Sequence, residues 1–106
     1  MLGHGLARWH EAKAYCESLG GHLAVIGSAQ ENEAVFALAA KGLRDAWIGL
    51  ARQGTQETLS WVAAGGSDYA AWACEAPSDG GYAAISRSSG MWNALGYASE
   101  NAFVCE

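Results

Sequence analysis

The chain has 106 residues, of which 51% are hydrophobic and 16% charged, a composition that predicts one packed domain spanning residues 1–106. Its formal net charge is -5, and the six basic residues are scattered, so no basic stripe can follow a phosphate backbone and nucleic acid is excluded as a partner. The apolar runs extend over only a few residues, which excludes a membrane-spanning helix and predicts no membrane insertion.

The first half of the chain predicts two helices. Between residues 8 and 19 apolar side chains recur with the period of one helix face, and the pair Gly20-Gly21 ends this helix. Residues 22–26 are predicted to form a short strand. Ser28 and Glu31 then form a capping box, which predicts a second helix that ends near residue 40.

The second half predicts short strands, separated by stretches rich in Gly, Ser, Asp and Ala, at 46–50, 59–62, 82–85 and 102–105. Helices followed by strands indicate an α+β layer arrangement. Residues 63–81 show little regular pattern, and a loop of that length in a compact domain is typically functional or disordered. Four anchoring side chains favour an ordered loop, namely Tyr69, Trp72, Pro77 and Tyr82.

Three cysteines bear on the cellular compartment. The chain has no Cys-x-x-Cys pair, so nothing supports a zinc cage or a thioredoxin-type motif. Cys16 lies near the start and Cys105 is the penultimate residue, which favours a bridge between them worth about 4–5 kcal/mol on the chain-entropy model. Cys74 is then left over, as a reactive thiol, a metal ligand, an intermolecular crosslink or an inert loop residue.

No catalytic constellation is present. His10-Glu11 begins like the H-E-x-x-H motif of metalloproteases, but Ala14 stands where the second histidine would be needed. Neither a G-x-S-x-G elbow nor a phosphate-cradling glycine pattern occurs. Because no nucleophile, base and orienting group come together, we predict that the protein is not an enzyme.

Several motifs together resemble the C-type lectin-like domain family. In chain order they are the run from Trp9-His10-Glu11-Ala12 to Tyr15-Cys16, the run from Leu19 to Ile26, Trp47-Ile48-Gly49-Leu50, Trp61-Val62, Tyr69, Trp72, Pro77, Trp92-Asn93 and Phe103-Val104-Cys105-Glu106. The resemblance covers nearly the whole chain. It implies an α+β fold in which two helices pack on small antiparallel sheets, the N- and C-termini are adjacent, Cys16 and Cys105 are bridged, and a long loop at about 63–81 carries the ligand surface.

The same resemblance locates the calcium site of sugar-binding relatives. Their E-P-N-type motif stands here as Ala76-Pro77-Ser78, and their W-N-D motif as Trp92-Asn93-Ala94. Calcium takes roughly six to eight oxygen ligands, several of them carboxylates, and Asn93 is the one ligand retained. We therefore predict no metal site and no cofactor, with Glu75 and Asp79 as the nearby carboxylates that could rescue a weak site.

The family's second disulfide maps onto Tyr82 and Tyr97, neither of which can form one. We expect the two rings to pack together or against the loop, where aromatic contact would replace the covalent link. The long loop is then predicted to be the least stable part of the domain. Trp72 lies in the long loop, where core anchoring is favoured over ligand contact. The remaining tryptophans are predicted to pack in the core, namely Trp9, Trp47, Trp61 and Trp92.

These features predict a non-catalytic recognition domain of an extracellular, cell-surface or periplasmic protein. The predicted ligand face comprises Tyr69, Ala71, Trp72, Glu75, Ser78, Asp79, Tyr82, Asn93, Ala94 and Tyr97. The leading hypothesis is calcium-independent binding of a protein or another cell-surface ligand. The alternatives are sugar binding through a weak or degenerate calcium site, and a diversified or engineered scaffold. The scaffold alternative rests on the small and tyrosine side chains of this face, which resemble the variable loop faces of phage and bacterial adhesins.

Overall fold

The computed structural model describes residues 2–3, 5–42, 44–52, 59–63, 65–66, 69–73, 81–96 and 98–106. Within them two helices precede five strands: α1 (Trp9–Ser18), α2 (Ala29–Ala39), β1 (Ala46–Ala51), β2 (Ser60–Trp61), β3 (Tyr82–Ile85), β4 (Trp92–Leu95) and β5 (Ala102–Phe103). The predicted α+β class is confirmed. None of the helices in these ranges is long and apolar enough to cross a membrane.

Local capping explains where the second helix begins. The hydroxyl of Ser28 accepts a hydrogen bond from the backbone N–H of Glu31 at 3.2 Å, which satisfies one of the free donors of the first turn of α2. The carboxylate of Glu31 in turn accepts from the N–H of Gly27 at 3.1 Å, one residue before the N-cap. The predicted capping box is therefore present with its return bond shifted by one residue.

The sheet is organised around β1. One edge of β1 pairs antiparallel with β3, and β4 pairs antiparallel with the far edge of β3. The other edge of β1 is shared: Ala46 pairs with Ala102 of β5 in parallel, and Leu50 pairs with Trp61 of β2 in antiparallel orientation. The C-terminal strand β5 therefore pairs with the start of β1, and β2, which precedes the long loop, pairs with its end.

Both faces of β1 are buried, because its alternate residues enter two cores. Ala46, Ile48 and Leu50 lie in one core, and Trp47 and Ala51 lie in the other. The first core also contains side chains of α2 and β4 and is called the α2 core below. The second contains side chains of α1 and is called the α1 core. The two helices thus cover opposite faces of one sheet.

Gly49 allows two neighbouring backbone segments to approach β1 closely. A Cβ atom at this position would come within 2.8 Å of Val62 Cγ2 and within 2.9 Å of the carbonyl oxygen of Leu23. The backbone instead makes two hydrogen bonds there, from the Gly49 N–H to the carbonyl of Ala24 at 2.7 Å and from the Val62 N–H to the carbonyl of Gly49 at 2.9 Å. The glycine of the W-I-G-L run is therefore required by close backbone approach.

The chain ends are tied together covalently and by hydrogen bonds. Cys16 and Cys105 form the predicted disulfide, with their Cα atoms 5.4 Å apart across a sequence separation of 89 residues. Leu2 forms an isolated antiparallel bridge with Val104, and the N–H of Gly3 donates to a carbonyl of β5 at 2.7 Å. The predicted adjacency of the N- and C-terminal segments is confirmed.

The strand prediction differs from the structure in two places: one predicted strand is not formed, and one observed strand was not predicted. Residues 22–26 form an isolated bridge, Leu23 with Cys105, and no continuous strand, because the N–H of Val25 donates to the side-chain carboxylate of Glu106 at 2.7 Å and leaves the backbone ladder. The sequence did not predict β4 as a strand. Its residues W-N-A-L lack a clear alternation, and pairing with β3 makes them a strand.

Candidate ligand-binding face

The described start of the long loop is joined to β4 by backbone hydrogen bonds. The N–H of Trp92 donates to the carbonyl of Ala71 at 2.8 Å, and the N–H of Ala73 donates to the carbonyl of Trp92 at 3.0 Å. Together they form a parallel bridge between Trp72 and Trp92. Residues 69–73 are therefore positioned by the sheet itself.

Three aromatic rings pack edge-on against Trp92, which is only 1% exposed. The ring centroids of Trp61, Tyr69 and Trp72 lie 5.7, 5.9 and 5.6 Å from that of Trp92. Such T-shaped pairs contribute about 0.5–1.5 kcal/mol each beyond the burial of area. We call Trp61, Tyr69, Trp72 and Trp92 the Trp92 cluster. Its three outer rings are half-buried, so they anchor the loop and keep part of their surface accessible.

Asn32 holds the centre of this cluster in place. Its Oδ1 accepts a hydrogen bond from Trp92 Nε1 at 2.8 Å, and its Nδ2 donates to the carbonyl of Gly90 at 2.9 Å. The residue is buried on the face of α2 that also carries Val35 and Ala39. Sequence reasoning did not single out Asn32, although an amide in an apolar helix face with spacing of three and four residues is the signal that would have indicated it.

Asn93 and Ala94 occupy adjacent positions of β4. In the register of the sheet, Ala94 pairs with Ala83 of the α2 core, whereas Asn93 pairs with Ala84 of the α1 core. By the alternation of a strand, Ala94 therefore shares the face of Trp92, and Asn93 lies on the opposite face. Both residues are half-buried.

The described side chains around Asn93 offer few oxygens to a calcium ion. The side chain of Asn93 has one neutral amide oxygen, and the side chain of Ala94 has none. Within the described residues, no group of three or more His, Cys, Asp or Glu side chains is arranged to hold a metal. Three predicted site residues near this motif, Glu75, Ser78 and Asp79, lie outside the described residues.

Tyr82 lies on the other side of the sheet from the Trp92 cluster. Its ring centroid is 5.3 Å from that of Trp9, 5.2 Å from that of His10 and 6.4 Å from that of Trp47. Among the described residues, these three rings belong to α1 and β1. Tyr97 lies outside the described residues, so its predicted contact with Tyr82 stays a prediction.

The predicted face is therefore brought together in part. Tyr69, Ala71 and Trp72 meet β4 at Trp92, with Ala94 on the same side. The alternation of β3 and β4 turns Tyr82 and Asn93 toward the other face of the sheet. Trp9 and Trp47 are almost fully buried in the α1 core, as predicted.

A sheet covered by one helix on each face, with a loop anchored on aromatic side chains at its edge, defines an α+β binding domain. The chain matches the lectin C-type domain family over residues 6–106. The protein therefore belongs to the C-type lectin domain family, which confirms the family prediction and identifies it as a non-enzymatic recognition domain.

Known relatives agree with this assignment. The chain is 41% identical over 61 residues to C-type lectin domain family 4 member F of Rattus norvegicus, covering 58% of this chain and 11% of that protein. It is 32% identical over 106 residues to hepatic lectin of Gallus gallus, covering 92% of this chain and 49% of that protein. The chain thus spans less than half the length of either relative.

A solved structure shows the same fold. The C-type lectin CEL-I from Cucumaria echinata superposes with a TM-score of 0.87 at 22% sequence identity, covering 98% of this chain and 85% of that one. These three proteins come from animals, and the predicted phage or bacterial type stays a prediction.

Proposed function

We propose that this domain binds a protein or another cell-surface ligand without calcium, through the face formed by the Trp92 cluster and the long loop. The observation that carries the proposal is the pair Asn93-Ala94 on β4. By resemblance, sugar-binding relatives place a calcium-ligating carboxylate at the second of these positions, where this chain has a methyl group.

Calcium chemistry supports the calcium-independent reading. Neutral oxygens alone do not offset the dehydration of a divalent ion, so a site in this family depends on its carboxylates. Ala94 is paired with Ala83, and neither side chain has an oxygen to offer. Glu75 and Asp79 are the carboxylates left to complete a site, and two acidic side chains with one amide provide few ligands.

The Trp92 cluster suits recognition through side chains. Its outer rings are fixed against Trp92, so a partner that contacts them does not have to order them first. The small residues beside them, Ala70 and Ala73, are exposed and leave the rings accessible. Aromatic side chains of this kind supply a large contact area at a low cost in rotamer entropy.

The disulfide supports an extracellular, cell-surface or periplasmic location. Structural disulfides persist in oxidising compartments, and Cys16 and Cys105 are both buried in the α1 core. The formal charge of -5 disfavours nucleic acid as the ligand. A protein or a glycan presented on a cell surface fits this location.

The second candidate is carbohydrate binding through a weak calcium site. Membership of the lectin C-type domain family favours it, as do the two relatives, both named as lectins or lectin-domain proteins. Glu75, Asp79 and Asn93 would then supply the polar contacts to the ion or to the sugar.

Calcium titration followed by thermal unfolding tests the proposal. A ligand that binds only the folded state stabilises it by about 2.7 kcal/mol at a hundredfold excess over its dissociation constant. We expect the melting temperature of the wild-type domain to be unchanged by millimolar calcium. Ala94→Asp returns one carboxylate to β4, and Ala37→Asp adds the same charge at an exposed position of α2 as a control. A calcium-dependent rise in the wild-type protein would contradict the proposal.

Binding itself can be mapped on cells and on glycan arrays. We expect Ala73→Arg, next to the Trp92 cluster, to abolish binding of the labelled domain to cells in flow cytometry, because a long charged side chain would cover the face. Ala37→Arg should leave binding intact. Loss of binding on addition of a chelator, or chelator-sensitive binding to a glycan, would support the carbohydrate reading instead.

A further inference from the structure

A cavity lies beside β5, across the sheet from β4 and Trp92. It has a volume of about 300 Å³, and its lining includes Leu2, Leu6 and Ala102. Ala102 of β5 pairs with Ala46 of β1, which on its other edge pairs with Ile85 of β3. Ile85 pairs in turn with Trp92 of β4, so two strands separate the cavity from Trp92. The cavity is therefore separate from the face that the proposed function uses.

The cavity remains open because glycines line part of it. At Gly5, with φ of +80°, an added Cβ would meet no atom within 4 Å. At Gly42 an added Cβ would touch Leu2 Cδ2 at 3.6 Å, which is an ordinary contact. Leu6 lines the same cavity and is 48% exposed, so apolar surface faces the opening. A ligand with an apolar part would gain free energy by covering it.

Positive charge collects at this cavity although the chain as a whole is acidic. Arg44 lines the cavity, and Arg87 Nε donates to the carbonyl of Gly42 at 2.8 Å. The nearby carboxylate is Asp45, whose Oδ1 accepts the backbone N–H of Arg87 at 3.1 Å. Two cations and one carboxylate leave a local charge of +1, against -5 for the whole chain. Among the residues that the structure describes, none of these cations forms an ion pair.

We propose that this cavity binds an amphiphile that combines an alkyl chain with an anionic head group. The chain would lie between Leu2, Leu6 and Ala102, and the head group would meet the guanidinium of Arg44 at the rim. The volume falls at the lower end of the range of small-molecule pockets, which suits a short to medium alkyl chain. A soluble carboxylate and an anionic membrane lipid share this chemistry.

A series of soluble carboxylates tests the apolar part of the site. Hexanoate, octanoate and decanoate, each below its micelle concentration, are titrated into the oxidised domain and followed by calorimetry. We expect one site per domain, with affinity rising about fourfold per added methylene until the cavity is full. Octan-1-ol, which lacks the charge, should bind more weakly than octanoate. Equal binding of the two, or no dependence on chain length, would overturn the proposal.

Variants test the charged part. Arg44→Gln is expected to weaken octanoate binding about fivefold, the upper range for an exposed ion pair. The control Lys13→Gln removes the same charge from α1, where Lys13 pairs with Glu17 at 3.0 Å, and should leave the affinity unchanged. Gly42→Ala keeps ordinary contacts and narrows the cavity, so it should weaken decanoate more than hexanoate. Equal losses for Arg44→Gln and Lys13→Gln would speak against a specific head-group contact.

Amide chemical shifts show where the ligand binds, and vesicles distinguish its two sources. On adding octanoate we expect shifts at Leu6 and Gly42, and shifts confined to Trp72 and Trp92 would overturn the proposal. Sedimentation with phosphatidylglycerol vesicles, competed by octanoate and absent with phosphatidylcholine, would identify a membrane lipid as the source. Octanoate binding without vesicle binding would identify a soluble carboxylate. Binding of neither probe would refute the site.

Discussion

The α1 core and the Trp92 cluster lie on opposite faces of one sheet and are held together by different kinds of interaction. The α1 core contains the disulfide between Cys16 and Cys105, which joins its helix to the C-terminal segment. The Trp92 cluster is held by ring contacts, by the two backbone hydrogen bonds to residues 69–73 and by the amide of Asn32. A covalent link thus stabilises the α1 core, whereas non-covalent contacts alone hold the face that we propose binds a ligand.

This contrast has a physical consequence for variation of the ligand face. A disulfide acts mainly by restricting the unfolded chain, so its contribution does not depend on the sequence of the loop. Aromatic contacts and one buried hydrogen-bond pair act only in the folded state and can be lost one at a time. We therefore expect the loop to tolerate substitution at its outer positions as long as Trp92 and Asn32 are retained.

The largest effect is expected from breaking the covalent side of the comparison. Replacing Cys16 and Cys105 together with Ala should lower the free energy of unfolding by about 4–5 kcal/mol, because the closed loop spans 89 residues. Urea unfolding of the oxidised protein and of the double variant measures the loss. A difference below about 1 kcal/mol would mean that the bridge contributes little beyond the packing around it.

An intermediate effect is expected from the hydrogen bonds of the Trp92 cluster. Asn32→Ala leaves the indole N–H of Trp92 and the carbonyl of Gly90 without their partner, which should cost about 2 kcal/mol. Glu33→Ala, at the next and exposed position of α2, is the matched control and should be nearly neutral.

A double-mutant cycle then identifies the bond responsible. Combining Asn32→Ala with Trp92→Phe should cost less than the sum of the two single changes, because the indole donor has already been removed. Strict additivity in urea unfolding would show that the two side chains do not act together.

The smallest effect is expected from a purely local contact. Ser28→Ala removes the side-chain cap of α2 and should lower the free energy of unfolding by about 1 kcal/mol. The control Gln30→Ala lies two residues further along the chain at an exposed position of α2. It should change the free energy of unfolding by less than about 0.5 kcal/mol. If both variants unfold at the same urea concentration as the wild type, tertiary packing alone determines where α2 begins.

Most of the fold could be predicted from local patterns. Helix periodicity and the Ser28-Glu31 box placed both helices within about two residues, the ordinary uncertainty of a helix end. β1 was predicted as a short strand at 46–50, and the family resemblance placed its W-I-G-L run in a central strand. β4 was not predicted, since its pattern becomes a strand only when β3 lies beside it.

The site could be predicted less completely than the fold. Ala71 and Trp72 lie beside Trp92 because residues 71–73 bond to the backbone of Trp92, about twenty residues away in sequence, and the ring of Tyr69 packs against the same side chain. Tyr82 was assigned to the same face, yet its ring packs with Trp9 and His10. A residue's position next to a loop in sequence does not reveal which side of the sheet it faces, because a shift of one residue reverses the side.

The α+β class and the pairing of Cys16 with Cys105 could be inferred from the order of the residues in the chain, and the family resemblance implied that Ala94 stands where sugar-binding relatives have an acidic residue. Periodicity, cysteine number and motif order are properties of the chain and need no partner to be observed. The convergence of particular side chains became visible in the folded domain: Asn32 contacts Trp92, Arg44 lines the cavity beside β5, and Tyr82 packs on the α1 core. These contacts join residues far apart in sequence, and their geometry follows from the register and twist of the assembled sheet.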